Sequence, residues 1–130
     1  MSRLAIGIGC RRDSSAQQIA NAVLGALGTY RLQDVGVVAT LDRKCDTPGL
    51  LAFCAQHGLP LLPCSPAQIN ALPVAWQPSA AARAHVGVSG VCEPCALLAA
   101  PGGQLLVGKF RLDGVTVAIA AQIQDIHHEN

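Results

Sequence analysis

Two short runs of this chain carry no charged side chain: LAIGIG at residues 4–9 and VGVVATL at residues 35–41. Neither shows the in–out alternation of a strand with one wet face. Both are read as strands covered on both sides, as in a parallel sheet with helices above and below. Each run leads into a charged corner and then into a hydroxyl residue able to start a helix. After the first, Arg11, Arg12 and Asp13 precede Ser14 and Ser15, either of which can cap. Ile19, Val23 and Leu27, with Ala20 and Leu24 beside them, give that helix an apolar face, and Gly28 closes it. After the second, Asp42-Arg43-Lys44 precedes Thr47 as cap, with Pro48 in the first turn. Leu50, Leu51, Phe53 and Cys54 form the apolar face, and Gly58 ends it.

Leu59 to Cys64, LPLLPC, reads as a third strand near a sheet edge, because its prolines remove ladder donors. Ser65-Pro66 begins a short helix through about Leu72, and Ser79 caps a small helix through Ala84. A glycine-punctuated turn at Gly87 to Gly90 opens a helix from Val91, with Leu97 and Leu98 expected on its buried face. Leu105 to Leu112 and Val115 to Ala121 flank Asp113-Gly114, the pair that a two-residue hairpin turn favours. The pattern predicts an α/β fold: a three-layer α/β/α sandwich with a mixed, mainly parallel sheet and a C-terminal β-hairpin. One domain is expected over residues 1–121, with a tail at 122–130.

Composition narrows the function classes. The chain is 51% hydrophobic but only 3% aromatic, so the core must be built from Ala, Val, Leu and Ile. A net charge of +1 gives no field to attract nucleic acid, and so few aromatic rings offer no stacking platform for bases. No apolar run approaches the roughly 20 residues of a membrane span. The N-terminal apolar stretch is too short for a signal core, so a cytoplasmic location with reduced thiols is expected. Of the six cysteines, Cys92 and Cys95 form the one CxxC. A zinc ribbon needs a second such pair, so the thiols are read first as small apolar core residues and only second as a redox or metal pair. His127-His128 is assigned to a floppy tail, and neither a metal nor a cofactor is expected.

In right-handed βαβ units the loops after parallel strands emerge at one sheet edge, which brings the two charged corners together. Gly7 and Gly9 permit close approach. Arg11 and Arg12 supply forked donors for a carboxylate or phosphate, and a helix start supplies N–H groups. Exposed arginines after a strand are also ordinary surface. The corner lacks the Gly-Lys-Ser/Thr ending of a P-loop and the third glycine of a dinucleotide fingerprint. A small-anion or nucleotide-phosphate enzyme using Arg11 and Arg12 stays open on these residues alone. Glu93 has two readings: a helix-start carboxylate favoured by the dipole, or an acid/base group.

Four segments taken in order, GIGCRR, VVATLDRK, GVSGVCEPCALLAA and LLVGKFRLDGVTVAIA, make the chain resemble the CobE family of cobalamin biosynthesis. That family is equivalent to the C-terminal domain of the CbiG cobalt-precorrin hydrolases. The resemblance runs over about residues 4 to 121. It implies a protein of the oxygen-dependent route to the corrin ring, free-standing and without the N-terminal part of CbiG. Its ligand would be a precorrin or other modified tetrapyrrole, with another enzyme of the pathway as a further partner. Both a hydrolase-like reaction and a carrier role remain open. The matched positions imply a substrate-binding set of Gly9, Cys10, Arg11, Arg12, Thr40, Asp42, Lys44, Ser79, Gly90, Glu93 and Lys109. Glu93 is the first candidate for acid/base catalysis, assisted by Asp42. A precorrin carries a ring of acetates and propionates around a flat apolar centre, which suits clustered cations.

Overall fold

The computed structural model describes residues 4–72 and 92–121. The elements run β1 (Leu4–Gly9), α1 (Ala16–Leu27), β2 (Val35–Leu41), α2 (Pro48–His57), β3 (Leu61–Cys64), α3 (Pro66–Asn70), α4 (Cys92–Ala99), β4 (Gln104–Leu112) and β5 (Val115–Ala121). The five strands lie in the order β3-β2-β1-β5-β4. β1 pairs in parallel with β2, and β2 with β3, while β5 runs antiparallel to both β1 and β4. Four strands therefore point one way and β5 alone opposes them. The sheet is mixed, as expected, and β3 with its Pro63 sits at an edge.

The two faces of the central strands differ in side-chain size, and this sorts the helices. On one face Leu4, Ile6 and Ile8 of β1 join Val117 and Ile119 of β5. They pack against Ile19, Val23 and Leu27 of α1 and Leu50 and Phe53 of α2. On the other face Ala5, Ala118 and Ala120 meet Cys92, Ala96 and Ala100. This second face is so shallow that α4 lies backbone against backbone on β1. A methyl group built on Gly7 would come 1.9 Å from the Cys92 carbonyl oxygen and 2.6 Å from the Ala96 nitrogen.

Local signals set most element ends. Ser15 caps α1 through a reciprocal box: its hydroxyl accepts from the Gln18 amide, and the Gln18 side chain accepts from the Ser15 amide. Ser65 and Gln68 repeat the device at α3, which ends at Asn70 instead of reaching Leu72. Gly58 ends α2 in the left-handed region. The turn joining β4 to β5 has positive φ at both Asp113 (55°) and Gly114 (78°), as a type I′ turn requires.

Several expectations need correction. Leu24 is 55% exposed and Leu51 46%, so neither belongs to its helix's buried face. In α4 the buried positions are Cys92, Pro94, Cys95 and Ala96, and Leu97 and Leu98 are only half-buried, because the shallow face admits small side chains beneath the helix. Thr47 stands at the start of α2, but its hydroxyl makes no capping bond. The helix around Ser79, the turn at Gly87 to Gly90, Val91 and the tail at 122–130 lie outside the described residues.

Two predictions follow from this packing. Gly7→Ala must push α4 off the sheet, and a urea titration should show a loss of about 3 kcal/mol or failure to fold. The buried thiols make stability fall in alkali. Burial pushes the Cys54 and Cys92 thiols up to about 11 from an ordinary 9.0. Between those values the unfolded chain ionises while the folded one keeps its protons, so rising pH favours unfolding, by at most about 1.4 kcal/mol per pH unit for each thiol. Urea midpoints from pH ~8 to ~11 should drop, and Cys92→Ala should flatten the decline.

Candidate functional site

The candidate site lies where β1 and β2 end and β5 begins. Two threonines flank the end of β1. The Thr40 hydroxyl of β2 donates to the Ile8 carbonyl at 2.7 Å, and the Thr116 hydroxyl of β5 donates to the Gly9 carbonyl at 3.3 Å. Chain exit is therefore fixed from both sides. Thr40 is fully buried. Its hydroxyl holds the strand that carries the next residues.

Beyond Gly9 the chain closes a tight corner. The Arg11 amide donates to the Ser14 hydroxyl, and the Ser14 amide donates to the Arg11 carbonyl, each at 3.0 Å. The corner is clamped by α2, since a methyl group on Gly49 would lie 2.0 Å from the Ser14 carbonyl oxygen. These bonds alter the anion-site expectation. The amides of Arg11, Ser14, Ser15 and Gln18 are already satisfied, and those of Arg12, Asp13, Ala16 and Gln17 have no partner among the described residues.

Three cations stand on the segments around this corner. The Arg11 guanidinium lies across the hairpin turn, where a methyl group on Gly114 would come 3.7 Å from its Cζ and Nε. Arg12 pairs with Asp46 at 3.3 Å, and both are well exposed. A pair this open is worth well under 1 kcal/mol and exchanges readily for a ligand carboxylate. Lys44 is half-buried on a 3-10 turn, Asp42–Lys44, and lies close enough to Cys10 for its charge to be felt there. Burial raises the Cys10 thiol, the Lys44 charge partly offsets this, and the group stays a neutral thiol instead of a nucleophilic thiolate. The buried Thr47 hydroxyl faces that thiol and completes no hydrogen bond. Asp42 is exposed and sits on the side of the turn nearer Cys45 and Cys64.

Glu93 stands in the first turn of α4, which the Gly7 contact anchors near this same end of β1. Its Oε2 accepts from the Lys109 amide at 2.9 Å. That amide belongs to β4, in a stretch where the pairing with β5 shifts register between Val107 and Phe110. Glu93 and Lys109 are thus brought together, though through the Lys109 backbone. One carboxylate oxygen holds the irregular strand, and the other has no partner among the described residues. Ser79 and Gly90 lie outside the described residues. Asp46 and Thr116 were not singled out from the sequence; Ser14, expected only as a possible cap, bonds the Arg11 amide, and Gly114, expected only in the hairpin turn, lies beside Arg11. Ser14 could have been found as the hydroxyl three residues after Arg11, whereas the Arg12–Asp46 pair crosses two corners and leaves no local signal.

Comparison with known proteins agrees over nearly the whole chain. Residues 4–120 match the family described as cobalamin synthesis G C-terminus. A cobalt-precorrin-5A hydrolase of Priestia megaterium is 31% identical over 90% of this chain, and the chain spans only 32% of that relative's length. The solved structure of CobE, a protein from the cobalamin (vitamin B12) biosynthetic pathway, superposes with a TM-score of 0.77 at 30% identity. That match covers 94% of this chain and 92% of the other. The cobalamin biosynthesis protein chiG from Agrobacterium tumefaciens gives 0.69 at 26% identity, covering 92% and 98%.

The Glu93 bond yields a direct prediction. Glu93→Ala should speed hydrogen exchange at the Lys109 amide by about tenfold, in line with loss of a charge-assisted bond of about 1.5 kcal/mol. Glu93→Gln should give a smaller increase, and unchanged exchange in both would refute the bond.

Proposed function

The chain belongs to the family of the cobalamin synthesis G C-terminus, and on that premise we propose that it binds a precorrin, an acid-rimmed modified tetrapyrrole, at the end of its sheet. The observation that supports this most is the meeting of cations from separate segments. Arg11 rests on the β4–β5 turn, Arg12 is held only by an exposed partner, and Lys44 approaches from the corner after β2. Spaced positive groups with rotatable stems suit a ligand whose carboxylates radiate from a ring, more than one compact phosphate that needs a ring of amides. Leu112, 38% exposed at the end of β4 beside the turn, offers apolar surface next to Arg11 for the macrocycle.

In this reading Arg11, Arg12 and Lys44 hold the acid groups, while Asp42 and Glu93 set the far sides of the rim. Glu93 is the residue suited to an acid/base step, since one carboxylate oxygen is anchored on Lys109 and the other can face a ligand. The hydrolase activity carried in a relative's name belongs to a protein of which this chain spans a third. Binding is therefore the core of the proposal, and turnover is a second step. A further pathway enzyme, to receive the pigment, is part of the same proposal.

A visible-absorbance titration with a precorrin tests this. Expected is a saturable spectral change that weakens as salt rises, because the contacts are exposed charges. Arg11→Ala and Lys44→Ala should each weaken binding about two- to fivefold, and the double variant more. No spectral change with any precorrin would overturn the proposal. Protection against thermal unfolding by inorganic phosphate, with no pigment bound, would assign the rim to a small anion instead.

A further inference from the structure

The sequence draws attention to Cys92 and Cys95, but the fold gives Cys95 a different neighbour. Cys92 lies over Ala5, Ala96, Ala118 and Ala120, in the middle of the shallow face. Cys95, almost one helical turn on, lies over the adjoining strands, in one packed cluster with Ala39, Cys64 and Ile69. Cys64 ends β3 in register with Leu41, which also lines that cluster, so the Cys64 side chain points to the face that α4 covers. Both thiols are free, and exposure is 1% for Cys64 and 0% for Cys95.

We propose that Cys64 and Cys95 are a reversible thiol–disulfide pair that peroxide closes, fastening edge strand β3 to helix α4, with Cys92 taking no part. Side by side in that cluster, the two thiols differ: the neighbouring Cys95 lowers the Cys64 pKa, while Cys64 and burial raise that of Cys95. Cys64 is accordingly the first nucleophile. Its thiolate attacks one oxygen of hydrogen peroxide and the O–O bond breaks. The departing hydroxide takes a proton to become water, leaving Cys64 as a sulfenic acid. The Cys95 sulfur then attacks the Cys64 sulfur: the S–S bond forms, the S–O bond breaks, and the hydroxyl leaves as water with the Cys95 proton. Two thiols and one peroxide become one disulfide and two waters. A small thiol reductant reverses the change by exchange. Cys45, half-buried on the neighbouring turn and close enough to influence Cys64, marks the side nearest solvent.

Peptide mapping of the folded protein tests this, after hydrogen peroxide and alkylation of the remaining thiols in denaturant. The expected product is a peptide joining Cys64 to Cys95, lost on treatment with dithiothreitol. Cys92→Ser should still give it, whereas Cys64→Ser and Cys95→Ser should not. All six thiols alkylated after peroxide, or a Cys92–Cys95 link in place of this one, would overturn the proposal. Because the wild-type map decides by itself, failure of a serine variant to fold does not remove the test.

Discussion

The rest of the structure depends on the approach of α4 to β1 at Gly7. A helix backbone can come within contact distance of a strand only if neither side has bulk between them. The positions at the closest approach obey this: Ala5, Gly7, Ala118 and Ala120 on the sheet, and Cys92 and Ala96 on the helix. The large side chains are displaced to the opposite face, where α1 and α2 cover Ile6, Ile8, Val117 and Ile119. The scarcity of aromatic residues and the abundance of alanine are two sides of one packing arrangement. It also holds the first turn of α4, and with it Glu93, close to the end of β1, where the proposed site lies.

The rim built around that point is held by polar bonds behind it and left loosely paired in front. Thr40, Thr116 and Ser14 fix backbone and are wholly or largely buried. Arg11, Arg12 and Asp42 are exposed, and the Arg12–Asp46 ion pair is an open one. A rigid backing with rotatable charges in front tolerates a ligand whose acid groups vary in spacing. Under the proposed function, that suits a class of polyacids better than one fixed anion.

Much of this arrangement was legible in the sequence where a local rule controls it. The Ser-x-x-Gln boxes, Gly58 and the Asp113-Gly114 turn each act within four residues, so reading them needs no partner from elsewhere. The convergence of the two charged corners was legible too, because the handedness of βαβ units dictates it. What was not legible depends on distant neighbours. Thr47 looks like a cap, yet its hydroxyl turns toward Cys10. Leu97 and Leu98 look like core, yet the alanine-lined face leaves no depth for them. Thr40 stands in the matched substrate set, and its hydroxyl donates to the carbonyl of Ile8, 32 residues earlier. The CxxC spacing suggests an adjacent pair, whereas the contact made is with Cys64.

The irregular pairing of β4 has one more consequence. This nine-residue strand forms a border of the sheet, with backbone groups on its outer side that no described strand covers. A straight, apolar border of that length would recruit strands from other copies of the chain. The two register breaks bend β4 away from the flat geometry that such recruitment needs, and Lys109 and Arg111 place like charges along it. The carboxylate that reaches over from α4 also engages the Lys109 amide, which leaves one backbone donor fewer on that strand for a stray partner to pair with.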